Sequence, residues 1–299
     1  MITDGSLLYT EQVATPTTAL SMARRALSGD DLARYEAVTL QAIRYASSGL
    51  TIHGWMAVPP AHHGPLPAII FNRGGSGPRG ALSAEAAMSI IGLYASWGYV
   101  CIASNYRGVG GSEGHAEAWG AEDVDDAMAC LPLLQGLSYV DNDRIGLIGG
   151  SRGGMMAFQM LTRTDVFRAA VTFGAPTIIH REPSDAYIRS TMRKHLPPDS
   201  IEQVEAEKRS VVTFADRLSK STPLLLLHGS GDRRVPAEHA LHLGLELQRL
   251  QHPYKLVMYD NADHVLAGRR NESNADIRWW MDRYVRDKAP LPRTGPHGA

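Results

Sequence analysis

The chain has 299 residues, 44% hydrophobic and 20% charged, with a formal net charge of −1 at neutral pH. That length and balance describe a globular protein with ample material for a buried core, and they exclude a disordered chain. With no global positive field and no basic run, nucleic acid and anionic membranes find nothing to hold, which leaves small or uncharged partners.

The N-terminal MITDGSLLYTEQVATP lacks the cationic start and apolar core of a secretion signal, and no window approaches a membrane span, so the sequence reads as cytoplasmic. Residues 1–38 hold one amphipathic run, TTALSMARRALS, and no strand signal; they are expected to pack as an extension on a main domain of residues 39–299. TLQAIRYA (39–46) and LTIHGWMAV (50–58), close neighbours across SSG, predict a hairpin. AIIFNR (68–73), VCIASN (100–105), RIGLIGG (144–150), AAVTFGA (169–175), LLLLHG (224–229) and KLVMYD (255–260) follow as extended runs. Segments of helical period separate them, among them LSAEAAMSIIGLYASWG, AEDVDDAMACLPLL, AEHALHLGLELQRL and ADIRWWMDRYVRD. This alternation predicts an α/β fold with eight strands, mostly parallel, and helices on both faces. Cys101 and Cys130 lie in apolar runs and read as buried thiols in a reducing compartment, with no disulfide framework or metal site.

Glycines crowd one serine in RIGLIGGSRGGMM, where a strand ends and a helix begins. Gly149-x-Ser151-x-Gly153 is the pattern of a nucleophile elbow, whose sharp turn forces the serine into a strained backbone and needs neighbours without a Cβ. Such a turn lifts the hydroxyl above the sheet and aims the first helical N–H groups at whatever binds there. A serine hydroxyl is a poor nucleophile at neutral pH, so a histidine must take its proton and a carboxylate must hold that histidine. LLLLHGSGDRRVP places Asp232 just beyond one strand and KLVMYDNADHVL places His264 beyond the next, with Asp260, Asp263 and Glu238 as rival acids. All three chosen residues follow the carboxyl ends of strands, the edge where such sheets carry their sites.

FNRGGSG (71–77), SNYRGVGGSEG (104–114), WGAEDVDDA (119–127), GGSRGGMM (149–156), LLLHGSGDRRVP (225–236) and DNADH (260–264) together resemble the single-domain relatives of the prolyl oligopeptidase group, within the α/β-hydrolase fold, over residues 40–287. The resemblance implies Ser151, Asp232 and His264 as a catalytic triad. It also implies an oxyanion hole from the Arg152 N–H and a donor in the FNRGG loop, taken here as the N–H of Arg73 or Gly74. Two departures stand out: Arg73 occupies the loop where the large peptidases of the group carry a tyrosine, and the sequence has no room for their β-propeller. Peptidase specificity is therefore not carried over.

The stretch 177–221, with YIRSTMRKHL and IEQVEAEKRSVVTFADRL, reads as a helical cap insertion whose charged composition favours a water-soluble substrate over a lipid surface. Arg73 and Arg152 beside the nucleophile are candidates for holding a substrate carboxylate, against the alternative that each pairs with an acid such as Glu117 or Glu182. Arg107 is expected to clamp Asp123 or Glu122. His239 and His242 lack a third ligand and read as a solvated or half-buried helix face, and neither glycine loop has the lysine of a phosphate-binding loop. The sequence thus describes a cofactor-free, metal-free serine hydrolase acting on a carboxylic ester or amide of a small molecule or short peptide. A small aminopeptidase or acyl-peptide hydrolase is the alternative within enzymes, and a non-catalytic binding protein of the same fold is the alternative outside them.

Overall fold

The computed structural model describes residues 2–60, 64–179 and 185–292. They fall into two compact units: residues up to Glu117 with Ala121–Gly146, and Ala118–Gly120 with Leu147 onward.

In the first unit, strands β1 (Leu7–Val13), β2 (Thr39–Ser47), β3 (Leu50–Val58), β4 (Leu66–Asn72) and β5 (Val100–Ser104) lie in the order β1-β2-β3-β5-β4. The hairpin predicted from the sequence closes with Ser47 opposite Leu50, and the turn residues Ser48 and Gly49 have φ of 48° and 77°. Two successive left-handed residues match the right-handed twist of the flanking strands. β3 runs antiparallel to β5, while β4 lies parallel to β5, returning through helical turns Ala84–Ala87, Met88–Gly92 and Leu93–Ser96. The amphipathic run near the N-terminus is the helix Thr17–Ala26, which buries Ala19 and Ala23.

One expectation is overturned here. Residues 1–38 do contain a strand, β1, paired antiparallel with β2 from Val13 opposite Leu40 to Leu7 opposite Tyr45. It raises the strand count among the described residues from the expected eight to nine. The reason is physical: six of the seven β1 residues are exposed, so main-chain hydrogen bonds hold the strand and no buried face imposes an apolar alternation on LLYTEQV.

The unit boundary falls inside β6 (Val140–Gly150), whose last residues open the second unit. There β7 (Phe167–Phe173), β8 (Leu224–Gly229) and β9 (Tyr254–Tyr259) run parallel. Every residue of β8 is buried, which explains its unbroken leucine run; each such leucine contributes about 1.5–3 kcal/mol. The insertion forms the helices Ala186–Arg193 and Glu202–Arg209, but the long helical stretch expected over 201–218 stops at Ser210. Ser210 turns extended, its hydroxyl donates to Ala206 O and accepts the N–H of Ile179, and two short 3-10 turns follow. A side chain that bonds its own preceding turn competes with helix continuation.

Candidate active site

Ser151 stands between β6 and the helix Arg152–Leu161 with φ 53° and ψ −126°. An L-residue adopts such a backbone at a cost of about 1–3 kcal/mol, so its surroundings must over-determine it. They do: its N–H donates to Phe173 O at 2.8 Å, and its carbonyl accepts the N–H groups of Gly154 at 2.9 Å and Met155 at 3.2 Å. A Cβ on Gly149 would meet Gly153 O at 2.3 Å, and one on Gly150 would meet the Phe173 ring at 2.3 Å. The glycines are therefore required by closeness of backbone to backbone and of backbone to ring.

Asp232 lies in the turn after β8. Its Oδ1 accepts the N–H groups of Arg234 at 2.8 Å and Val235 at 3.0 Å, which fixes the carboxylate plane. His264, in the turn after β9, places Nδ1 2.7 Å from Asp232 Oδ2 and Nε2 2.9 Å from Ser151 Oγ. With Nδ1–H donating to the carboxylate, Nε2 is left as the acceptor of the serine proton. Burial pushes the Asp232 carboxyl up, but hydrogen bonds from His228, His264 and the Val235 N–H outweigh it and hold the group well below the ordinary carboxylate range. Asp232 is therefore an anion at any working pH.

Two further glycines bring these turns together, and sequence reasoning missed both. A Cβ on Gly229 would stand 2.2 Å from Ala262 O, and Gly231 N–H donates to that same carbonyl at 3.0 Å. Gly174, with φ 55°, lies so close that a Cβ would be 3.2 Å from His264 Nδ1. The signal was a glycine at the end of each of two strand runs, TFG and LHG. The rival acids are engaged elsewhere: Asp260 pairs with Arg269 at 2.6 Å, Asp263 accepts the N–H groups of Val265 and Ala267, and Glu238 is exposed at a helix start.

The remaining candidates differ from expectation in their contacts. Arg73, 1% exposed, donates to Glu117 Oε1 at 2.5 Å, to Gly74 O at 3.2 Å and to Asn105 O, and it stacks 4.5 Å from the Tyr106 ring centre. Its guanidinium is enclosed within the first unit, and the alternative partner Glu117 is the one it takes. Arg152 is 2% exposed, and Glu182 lies outside the described residues. For Arg73 this pairing with Glu117 takes the place of the substrate carboxylate expected from the sequence. Arg107 clamps Asp126, not Asp123 or Glu122: the guanidinium and main-chain N–H converge on one carboxylate at 2.8–2.9 Å. Asp126 and Asp123 are both fully buried, but Asp123 accepts the Ala121 N–H at the start of its own helix. His239 is buried, not solvated; its Nδ1 accepts the Thr177 N–H at 3.1 Å and its Nε2 lies 3.1 Å from Asp185 Oδ1. Among the described residues no cluster of three or more His, Cys, Asp or Glu side chains suits a metal ion. None of their helices is long and apolar enough to cross a membrane.

A model of the prolyl oligopeptidase family matches residues 86–288. The chain belongs to that family. This family member is 31% identical over 250 residues to an uncharacterized peptidase of Bacillus subtilis, YtmA, covering 82% of this chain and 93% of that one. Among solved structures, a puromycin-hydrolyzing peptidase of Mycobacterium tuberculosis matches with a TM-score of 0.69 at 25% identity, over 84% of this chain and 40% of that chain. An acetyl xylan esterase from Paenibacillus sp. R4 shares the fold at 18% identity, with a TM-score of 0.65 over 93% of this chain and 88% of its own. The family and the fold identify a serine hydrolase of the α/β-hydrolase type.

Proposed function

We propose that the protein hydrolyses a carboxylic ester or amide of a small, water-soluble substrate through an acyl-enzyme on Ser151. The observation that carries this reading is the unbroken hydrogen-bond chain from Asp232 Oδ2 through His264 to Ser151 Oγ, at 2.7 and 2.9 Å. His264 Nε2 takes the Ser151 proton as Oγ attacks the carbonyl carbon, and Asp232 stabilises the imidazolium that forms. The proton then passes to the leaving group, the acyl-enzyme remains, and water, deprotonated by the same imidazole, releases the acid. The oxyanion is held by the Arg152 N–H, in the first helical turn where N–H groups lack intrahelical acceptors.

Residues 177–221 act as the cap that selects substrate in this reading, and the buried free thiols of Cys101 and Cys130 support a cytoplasmic setting. A peptidase reading is favoured by one specific finding, the 31% identity to a protein named a peptidase. A paired panel of p-nitrophenyl esters and aminoacyl p-nitroanilides separates the two. Ester hydrolysis with a burst equal to the enzyme concentration supports the esterase reading, and faster turnover of the anilides supports the peptidase one. No turnover of either class would overturn both.

A further inference from the structure

His228 is the penultimate residue of the buried strand β8, four residues before Asp232, and the mechanism above does not use it. Its imidazole is 2% exposed and the Asp232 carboxylate 0%. His228 Nε2 lies 2.9 Å from Val235 O and 3.4 Å from Asp232 Oδ2. Both neighbours are acceptors only, so Nε2 carries the proton and shares it between them. The carboxylate is thereby surrounded: two main-chain N–H groups reach Oδ1, and two imidazoles reach Oδ2, His264 at 2.7 Å and His228 at 3.4 Å.

We propose that His228 is a positioning residue that tempers the charge on Asp232 Oδ2 and so limits how tightly His264 holds its proton. The inference rests on the triad reading given above. The Oδ1 donors and His264 already fix the carboxylate's orientation, so the distinct effect of His228 is electrostatic. Its N–H withdraws charge from the one oxygen that faces His264, and an imidazolium beside a partly neutralised carboxylate is less stabilised than one beside a bare carboxylate. His264 then remains available as a proton acceptor over a wider range of pH. The titratable groups in this array come from three elements: Asp232 from the turn after β8, His228 from β8 itself and His264 from the turn after β9. Of the charged sequence neighbours, Asp263 directs Oδ1 to the N–H groups of Val265 and Ala267, and Arg233 and Arg234 are exposed.

The test is a pH titration of the His264 imidazole by proton NMR in the full-length protein, comparing wild type with His228→Phe and His228→Gln. Phenylalanine removes the donor, and the His264 midpoint is expected to rise by about half to one pH unit. Glutamine keeps an N–H for the same acceptors, and its midpoint should stay near that of wild type. Should His228→Phe not fold, His228→Met, a flexible apolar filler, replaces it as the donor-free variant. An unchanged midpoint in a folded donor-free variant would overturn the proposal, as would a glutamine variant shifted equally, which would assign the effect to packing. Acylation of Ser151 is measured in the same samples. A shifted midpoint without acylation counts against the proposed function alone, and acylation without a shift counts against His228 alone.

Discussion

Each of the two units buries a charged cluster, and the two clusters end differently. In the first, Arg73 and Glu117 are each 1% exposed at the side chain, and Glu117 closes the circuit by accepting the Gly77 N–H at 2.7 Å. In the second, the carboxylate of Asp232 is equally buried, but the chain it starts runs outward through His264, 12% exposed, to the half-buried hydroxyl of Ser151. A closed network orders two loops and offers no group to a substrate; an open-ended one delivers the pull of a buried anion to a hydroxyl that can react. Burial of charge is common to both, so accessibility of the last group is what separates scaffold from chemistry.

If that contrast is right, mutations in the open chain abolish activity and mutations in the closed one abolish stability. Ser151→Ala should lower kcat by about 10⁴- to 10⁶-fold while leaving the thermal melt unchanged, checked by steady-state kinetics beside calorimetry. Asp232→Asn should lower kcat by about 10⁴-fold, because an amide no longer selects the tautomer with the proton on Nδ1. Its pH signature follows from the depressed Asp232 carboxyl. The folded state binds that proton more weakly than the unfolded one, so Asp232 stabilises the protein fully above the unfolded carboxyl value of about 3.9. That stability is lost as pH falls toward the lower folded value, and urea unfolding from pH 5 downward should show a shallower acid decline in the Asn variant.

Glu117→Gln leaves the Arg73 charge buried without its counter-ion and should destabilise the protein by about 3–5 kcal/mol, read from denaturant unfolding. Wherever that variant remains folded, Ser151 should still acylate. The smallest effect is expected for Gly229→Ala, whose new Cβ must displace Ala262 O from 2.2 Å. About 1–3 kcal/mol of stability should be lost, together with part of the rate as the His264 turn shifts.

How much of this was legible beforehand follows the same physics. Strands that bury both faces wrote themselves into composition, as LLLLHG did, and the elbow glycines announced the strain at Ser151. Chain order then placed Asp232 and His264 after successive strands, and their side chains meet as that order implied. What escaped was whatever depends on main-chain pairing or on the reach of a side chain. Strand β1 has almost no buried face, so its pairing with β2 left no periodicity to read. Arg107 reaches Asp126 rather than two acids nearer the helix start, of which Asp123, equally buried, accepts the Ala121 N–H and Glu122 is exposed. Gly229 and Gly174 act through contacts with Ala262 and His264, tens of positions away, which spacing along the chain does not encode.

The central claim is that the Asp232–His264 chain makes one hydroxyl of this protein nucleophilic. A fluorophosphonate probe reads this directly, through intact-mass and peptide mapping of the adduct in wild type and in His264→Ala. The account predicts one adduct per chain, on Ser151, and its loss in a folded His264→Ala variant. An adduct on another serine, or undiminished labelling of Ser151 without His264, would contradict it.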